Sequence, residues 1–170
     1  MVSRLLLLIF LVARLLSAGE ESGISDGLIG LAADDAAVRQ QTLERLGGSG
    51  DQRLLPFLEA YQQGSAYVWQ GRAVLVETLH DGHGVPLDPF SRVALSAAVP
   101  AAELTEMPMG RRERLWARDA ITLLRLTDPD RGVRLAAVTR AGDGGGAANA
   151  AALEKLLVGE TDAKIRRLAD

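Results

Sequence analysis

The sequence predicts a mainly α fold of paired helical repeats, with a small β-hairpin subdomain inserted between the first repeat and the second. Three observations carry that expectation. A five-residue phrase, Asp-x-x-(Val or Ile)-Arg, occurs at Asp35 to Arg39, Asp130 to Arg134 and Asp162 to Arg166. The second and third copies lie 32 residues apart, as in paired-helix repeats, whereas the first and second are 95 apart, which leaves room for an insertion. Aromatic residues are scarce at 4% while Ala, Leu and Gly are abundant, which favours close helix packing over a β-sandwich.

Each copy of the phrase reads as a helix entrance. Its Asp (Asp35, Asp130, Asp162) can accept hydrogen bonds from the free donors of a first turn, while Val38, Val133 or Ile165 enters a core stripe. Arg39, Arg134 and Arg166 share one position and could form a ladder with the Asp residues of neighbouring repeats, a stacking device rather than a binding edge. At a constant offset of 95, Leu43 falls on Val138, Leu46 on Ala141, Gly47 on Gly142, Leu58 on Leu153, Tyr61 on Leu156 and Gly64 on Gly159. The apolar matches keep helical spacing and the glycines fall where helices should end.

A chain of 170 residues, 48% hydrophobic and 24% charged, can bury one core. Of its 19 basic residues, Arg4 and Arg14 lie in a segment expected to be removed, so the remainder carries 17 basic against 22 acidic side chains, a net of −5. That balance argues against nucleic acid as a partner. With no cysteine, disulfides, thiol nucleophiles and thiolate metal sites are excluded together.

In chain order, residues 1–18 have the parts of an export signal: basic Arg4, the apolar run Leu5 to Val12, and small residues at Ser17-Ala18-Gly19. The expectation is export to the periplasmic, extracytoplasmic side of the inner membrane with cleavage near Ala18, followed by an acidic linker at 19–27. The repeat domain spans 28–170. Leu28, Ile29 and Leu31 begin its helical material, and a first helix runs from about Ala36 to Leu46. Its partner follows Asp51, with Leu54, Leu55, Phe57, Leu58 and Tyr61 inward and Pro56 tolerated in the first turn. This is a HEAT-like pattern.

The insertion covers about 67–110. Tyr67-Val68-Trp69 and Ala73 to Val76 are rich in β-formers and flank Gln70-Gly71-Arg72, so they read as a hairpin. His80 to Pro89, with Gly82, Gly84, Pro86 and Pro89, reads as a mobile loop, and Ser91 to Val99 as a further strand or turn. Arg111 to Leu126 is then strongly helical, with Trp116, Ala120, Leu123 and Thr127 on one line and Ala117, Ile121 and Leu124 on the next. Asp128-Pro129-Asp130 stops that helix and opens the second repeat, Gly132 to Val158, whose internal turn is Gly142 to Gly146. Asp162 opens a third helix bearing Ile165, Leu168 and Ala169 on one side.

No residue is assigned a catalytic, metal or cofactor role. His80 and His83, with Glu77 upstream, are metal-type groups three residues apart, but a closed site needs further fixed ligands and the expected reading is a solvated loop. Gly142 to Gly146 lacks the Lys-Ser/Thr ending of a phosphate-binding loop, and no serine sits in a nucleophile elbow. The chain therefore reads as a non-enzyme. Contacts to a protein partner are expected around the inserted hairpin, at Tyr67, Trp69, Arg72, His80 and His83, with Trp69 the anchor.

These parts, in this order, resemble the N-terminal extracytoplasmic domain of the urea ABC transporter permease subunit, within the branched-chain amino-acid importer-like permeases. The resemblance runs from Leu28 to Asp170: the Leu31-Ala32-Ala33-Asp34-Asp35 entry, the Asp51 to Tyr61 helix, the Tyr67 to Glu77 hairpin, and Thr127-Asp128-Pro129-Asp130 with Val133-Arg134-Leu135-Ala136-Ala137. It implies urea transport, with the solute-binding protein or other importer subunits as partners. A membrane permease part would be a further partner if the chain is a fragment, since no run of about 20 apolar residues follows the signal segment. The alternative expectation is a free-standing periplasmic HEAT-repeat scaffold for protein interactions.

Overall fold

Asp35, Asp130 and Asp162 each stand in extended backbone at a helix entrance, with the carboxylate accepting from first-turn amides: Ala37 for Asp35, Val133 for Asp130, and both Lys164 and Ile165 for Asp162. These caps satisfy donors that have no partner within the helix. The computed structural model describes residues 27–170, so the expected signal segment and nearly all of the 19–27 linker lie outside the described residues. The described chain is mostly helical (57%) with two small three-stranded antiparallel sheets. Its helices are α1 (Ala36–Gly48), α2 (Leu55–Gln62), α3 (Arg111–Arg125), α4 (Arg131–Gly144), α5 (Ala147–Gly159) and α6 (Ala163–Ala169).

α3 is the central strut. It packs against α1, α2 and α4, and its buried line Ala117, Ala120, Ile121 and Leu124 meets Leu28, Leu31, Leu43, Leu46, Phe57 and Tyr61 in the main core. Full burial of each large apolar side chain contributes about 1.5 to 3 kcal/mol. The α1–α3 contact is close because Gly47 lacks a side chain: a Cβ there would lie 2.7 Å from the Ala120 Cα. Salt bridges tie the frame further, with Arg125 of α3 reaching Glu59 of α2 at 2.8 Å. A second core, Leu123, Leu126, Ala137, Val138 and Ile165, joins α3 to α4 and α6, with Leu153 and Leu156 of α5 half-buried against it.

Among the described residues the strands all lie between Ala66 and Glu106. β1 (Ala66–Trp69) and β2 (Arg72–Leu75) form the expected hairpin, closed by Gln70 and Gly71 at φ 51° and 75°, and β6 (Thr105–Glu106) adds to the free edge of β1. The second sheet is β3 (Leu79–His80), β4 (His83–Gly84) and β5 (Val99–Pro100) in the order β3-β4-β5. Val74, Val76, Val99 and Leu104 form a small core there, against which Tyr67 and Trp69 pack.

Four expectations need correction. Residues 80–84 belong to a tight hairpin rather than a mobile loop, with Asp81 and Gly82 at φ 50° and 74° and His80 paired across from His83. Val38 is 42% exposed, because the face of α1 that meets α3 carries Arg39, Thr42, Leu43, Leu46 and Gly47. Val133 is half-buried, so of the three phrase positions Ile165 alone enters a core fully. Gly142 does not end its helix: α4 runs on to Gly144, and the break comes at Gly145 and Gly146, at φ 60° and 90°.

Candidate interaction surface

Arg39 is buried, and its Nη1 donates to the carbonyls of Ala33 (2.7 Å) and Asp34 (2.8 Å), while Nε and Nη2 donate to Glu113 Oε1 at 3.2 and 2.7 Å. Glu113 uses its other oxygen to accept from the Gly110 amide at the entrance of α3. Arg134 repeats the arrangement. Its Nη1 donates to Asp128 O (2.9 Å) and Pro129 O (3.1 Å), and its Nε to Glu160 Oε2 (2.8 Å). Arg166 makes the carbonyl half, donating to Leu157 O and Glu160 O at 2.7 and 2.9 Å, with no carboxylate partner among the described residues. The expected ladder of Arg39, Arg134 and Arg166 on Asp residues is therefore replaced by a clamp. Each arginine bonds the loop before its own helix, and two of the three also hold a glutamate. Among the described residues the one arginine paired with a phrase Asp is Arg131, 2.6 Å from Asp162.

These contacts set the local electrostatics. Burial pushes the Glu113 carboxyl up, but the Arg39 hydrogen bond and the Glu113 and Gly110 amides outweigh it and hold it below the ordinary range. The Arg134 hydrogen bond, helped by the Asp162 and Thr161 amides, lowers Glu160. Asp162 is lowered to about 2, first by Arg131 and then by the Ile165 amide. All three side chains are thus committed acceptors, which suits a structural role and leaves no proton to transfer near neutral pH.

An open groove of about 590 Å³ lies beside the second clamp. One wall is the end of α1 at Glu44, Gly47 and Gly48, the floor is Leu123 and Leu126, and the opposite wall is α5 at Ala148, Ala151 and Lys155. α5 packs chiefly on α4 and α6 and has no fully buried residue, which leaves the groove open between it and the end of α1. A shallower cleft of about 430 Å³ lies at the entrance of α3, between Gln62, Met109 and the arginines 111, 114 and 118.

The residues expected to meet a partner lie on two hairpins, with Trp69 across from Arg72 and His80 across from His83. Arg72, His80 and His83 are exposed, whereas Tyr67 and Trp69 are half-buried against the small sheet core, and Trp69 Nε1 points to Glu103 Oε2 at 3.5 Å. His83 Nδ1 lies 3.0 Å from the Asp81 carbonyl. No group of three or more His, Asp or Glu side chains among the described residues could hold a metal ion. Sequence reasoning missed Glu113 and Glu160, the acceptors of both clamps. Glu113, three residues past Gly110, had only the returning half of a capping box as its signal, since Gly110 has no capping side chain; Glu160 had none.

Comparison with known protein families, curated proteins and solved structures returned no match. Among the described residues no helix is long and apolar enough to cross a membrane.

Proposed function

We propose that this chain is a non-enzymatic, extracytoplasmic HEAT-like domain of a urea-type ABC importer permease that docks or positions the solute-binding protein. The observation that carries the reading is the doubled clamp. Arg39 and Arg134, 95 positions apart, bond the carbonyls five and six residues before them and a following glutamate, as two copies of one repeat would. The residues that resemble the permease domain are those that build this frame: Asp34-Asp35 before α1, Asp128 to Asp130 before α4, and the β1–β2 hairpin between them. The carboxylates committed to arginines and main-chain amides suit a scaffold better than a catalyst.

In this reading urea itself is bound by the binding protein and the membrane part, and the domain supplies surface. Deleting residues 28–170 from an intact importer lowers both binding-protein association and urea uptake. Unchanged association and uptake would remove the docking role. The alternative, a free-standing periplasmic scaffold, is supported by the core that the described residues build, and is distinguished by the gene: permease helices in frame beyond codon 170 would exclude it.

A further inference from the structure

The first two turns of α3 place Arg111, Arg114 and Arg118 at i, i+3 and i+7, on one line along the helix, with Arg112 beside them. All four are exposed. Among the described residues Arg111, Arg112 and Arg114 have no acidic partner, and Arg118 has only Asp119, at 3.6 Å with both side chains more than half exposed. The one other carboxylate of these turns, Glu113, faces inward and is taken up by Arg39 and the Gly110 amide. Cations at a helix entrance oppose the helix dipole, so the stripe does not serve the stability of α3. Nor does it follow from a basic composition, since the chain after residue 18 is net acidic by five charges, with 22 acidic side chains against 17 basic.

The stripe also has shape. Arg111, Arg114 and Arg118 line the shallow cleft together with Gln62, Met109 and Leu115, and Leu115 is 43% exposed. Guanidinium forks around an exposed apolar side chain suit carboxylates projecting from a protein surface, because each fork can hold one carboxylate through two parallel hydrogen bonds. A flat bilayer would meet the rim of such a cleft without filling it. Nucleic acid would meet the net negative charge of the rest of the chain.

We propose that Arg111, Arg114 and Arg118 form the contact face for an acidic loop or helix of a partner protein, which on the docking reading above is the solute-binding protein. The inference rests on that reading. Its test uses the importer with this chain intact and the solute-binding protein of the same importer, measured by surface plasmon resonance from about 50 to 500 mM salt, a range that shortens the screening length several-fold. Wild-type affinity falls at least tenfold across that range. Arg111→Glu/Arg114→Glu/Arg118→Glu loses at least tenfold at low salt and flattens the salt dependence, while Arg167→Glu, a control on α6, leaves both unchanged.

If the triple variant, folded by circular dichroism, binds as tightly as wild type, the stripe is not the contact and docking must use another face. If the wild-type importer does not bind the protein at all, the docking reading falls and takes the stripe with it. Binding to phosphatidylglycerol vesicles that the triple variant abolishes, with the protein contact untouched, would reassign the stripe to a membrane surface and overturn the proposal.

Discussion

Arg39 holds Glu113 at 2.7 Å across 74 residues of sequence, and the pair joins the loop before α1 to the entrance of α3. Both side chains are nearly buried, at 11% and 8% exposure. Their desolvation is offset because every polar atom involved is spoken for: two carbonyls on the arginine side, the Gly110 amide on the glutamate side, and no buried side-chain polar atom unpartnered among the described residues. The pair locks the relative position of α1 and α3, which carry the main core.

Replacing one partner leaves the other buried without its counter-charge. Arg39→Ala is expected to destabilise the fold by about 3 to 5 kcal/mol. The Arg39→Met/Glu113→Gln double variant loses less than the sum of its single variants, with a coupling of about 1 to 3 kcal/mol in a double-mutant cycle by urea denaturation. Additive single effects would mean that the two side chains do not act as a pair.

The α1–α3 approach depends on the bare backbone at Gly47. Because a Cβ at this position meets the Ala120 main chain at 2.7 Å, relief requires moving a helix rather than turning a side chain. Gly47→Val lowers stability by about 1 to 3 kcal/mol or more. Gly48→Val, next to it but with open space around its Cβ, costs less in the same denaturation assay, and equal costs would contradict the close-packing account.

Asp162 couples α6 to pH. Its carboxyl titrates near 3.8 when free and about 2 in the fold, chiefly through Arg131. A depressed carboxylate contributes stability that is present above its unfolded value and is lost as pH falls through the folded one, so the loss falls between about pH 4 and 2. Asp162→Asn keeps a capping side chain but cannot titrate. Its stability is expected to be lower at neutral pH and to fall less steeply over that window, as measured by denaturation at stepped pH. A slope identical to wild type would show that Asp162 carries none of the acid sensitivity.

Tyr61 sets the opposite, alkaline limit. Its ring is fully buried, stacked on Phe57 with centroids 6.5 Å apart, and its hydroxyl donates to the Pro108 carbonyl at 2.9 Å. Burial first, and then the charge of Glu113, raises it to about 12. Here stability is complete below the unfolded value of 10.0 and declines as pH rises towards about 12. Tyr61→Phe costs about 1 kcal/mol at neutral pH from the lost hydrogen bond and shows a smaller decline above pH 10. An unchanged alkaline decline would assign it to other groups.

Much of the local structure was legible because its causes are local. Asp35, Asp130 and Asp162 cap helices through amides two or three residues away, Pro56 sits in a first turn, and Gln70-Gly71 closes a hairpin, all interactions written within a few residues. The Asp81-Gly82 hairpin was equally legible, since Asp-Gly favours the positive φ of such a turn; the surrounding Gly and Pro obscured it. The phase of α1 was not. Val38 and Arg39 are adjacent, and only the position of α3 decides that the arginine is inside and the valine out.

By itself the sequence determined the helical class, the places where helices begin, and the first hairpin, because capping and turn geometry act within about four residues and apolar periodicity within a single helix. The tertiary structure alone decided the partners of Arg39 and Arg134, the groove left where α5 stands off from α1, and the exposed arginine stripe of α3. These depend on which surfaces meet across 26 to 74 residues, as the separations in the two clamps show, and burial at that range is set by the packing of whole elements.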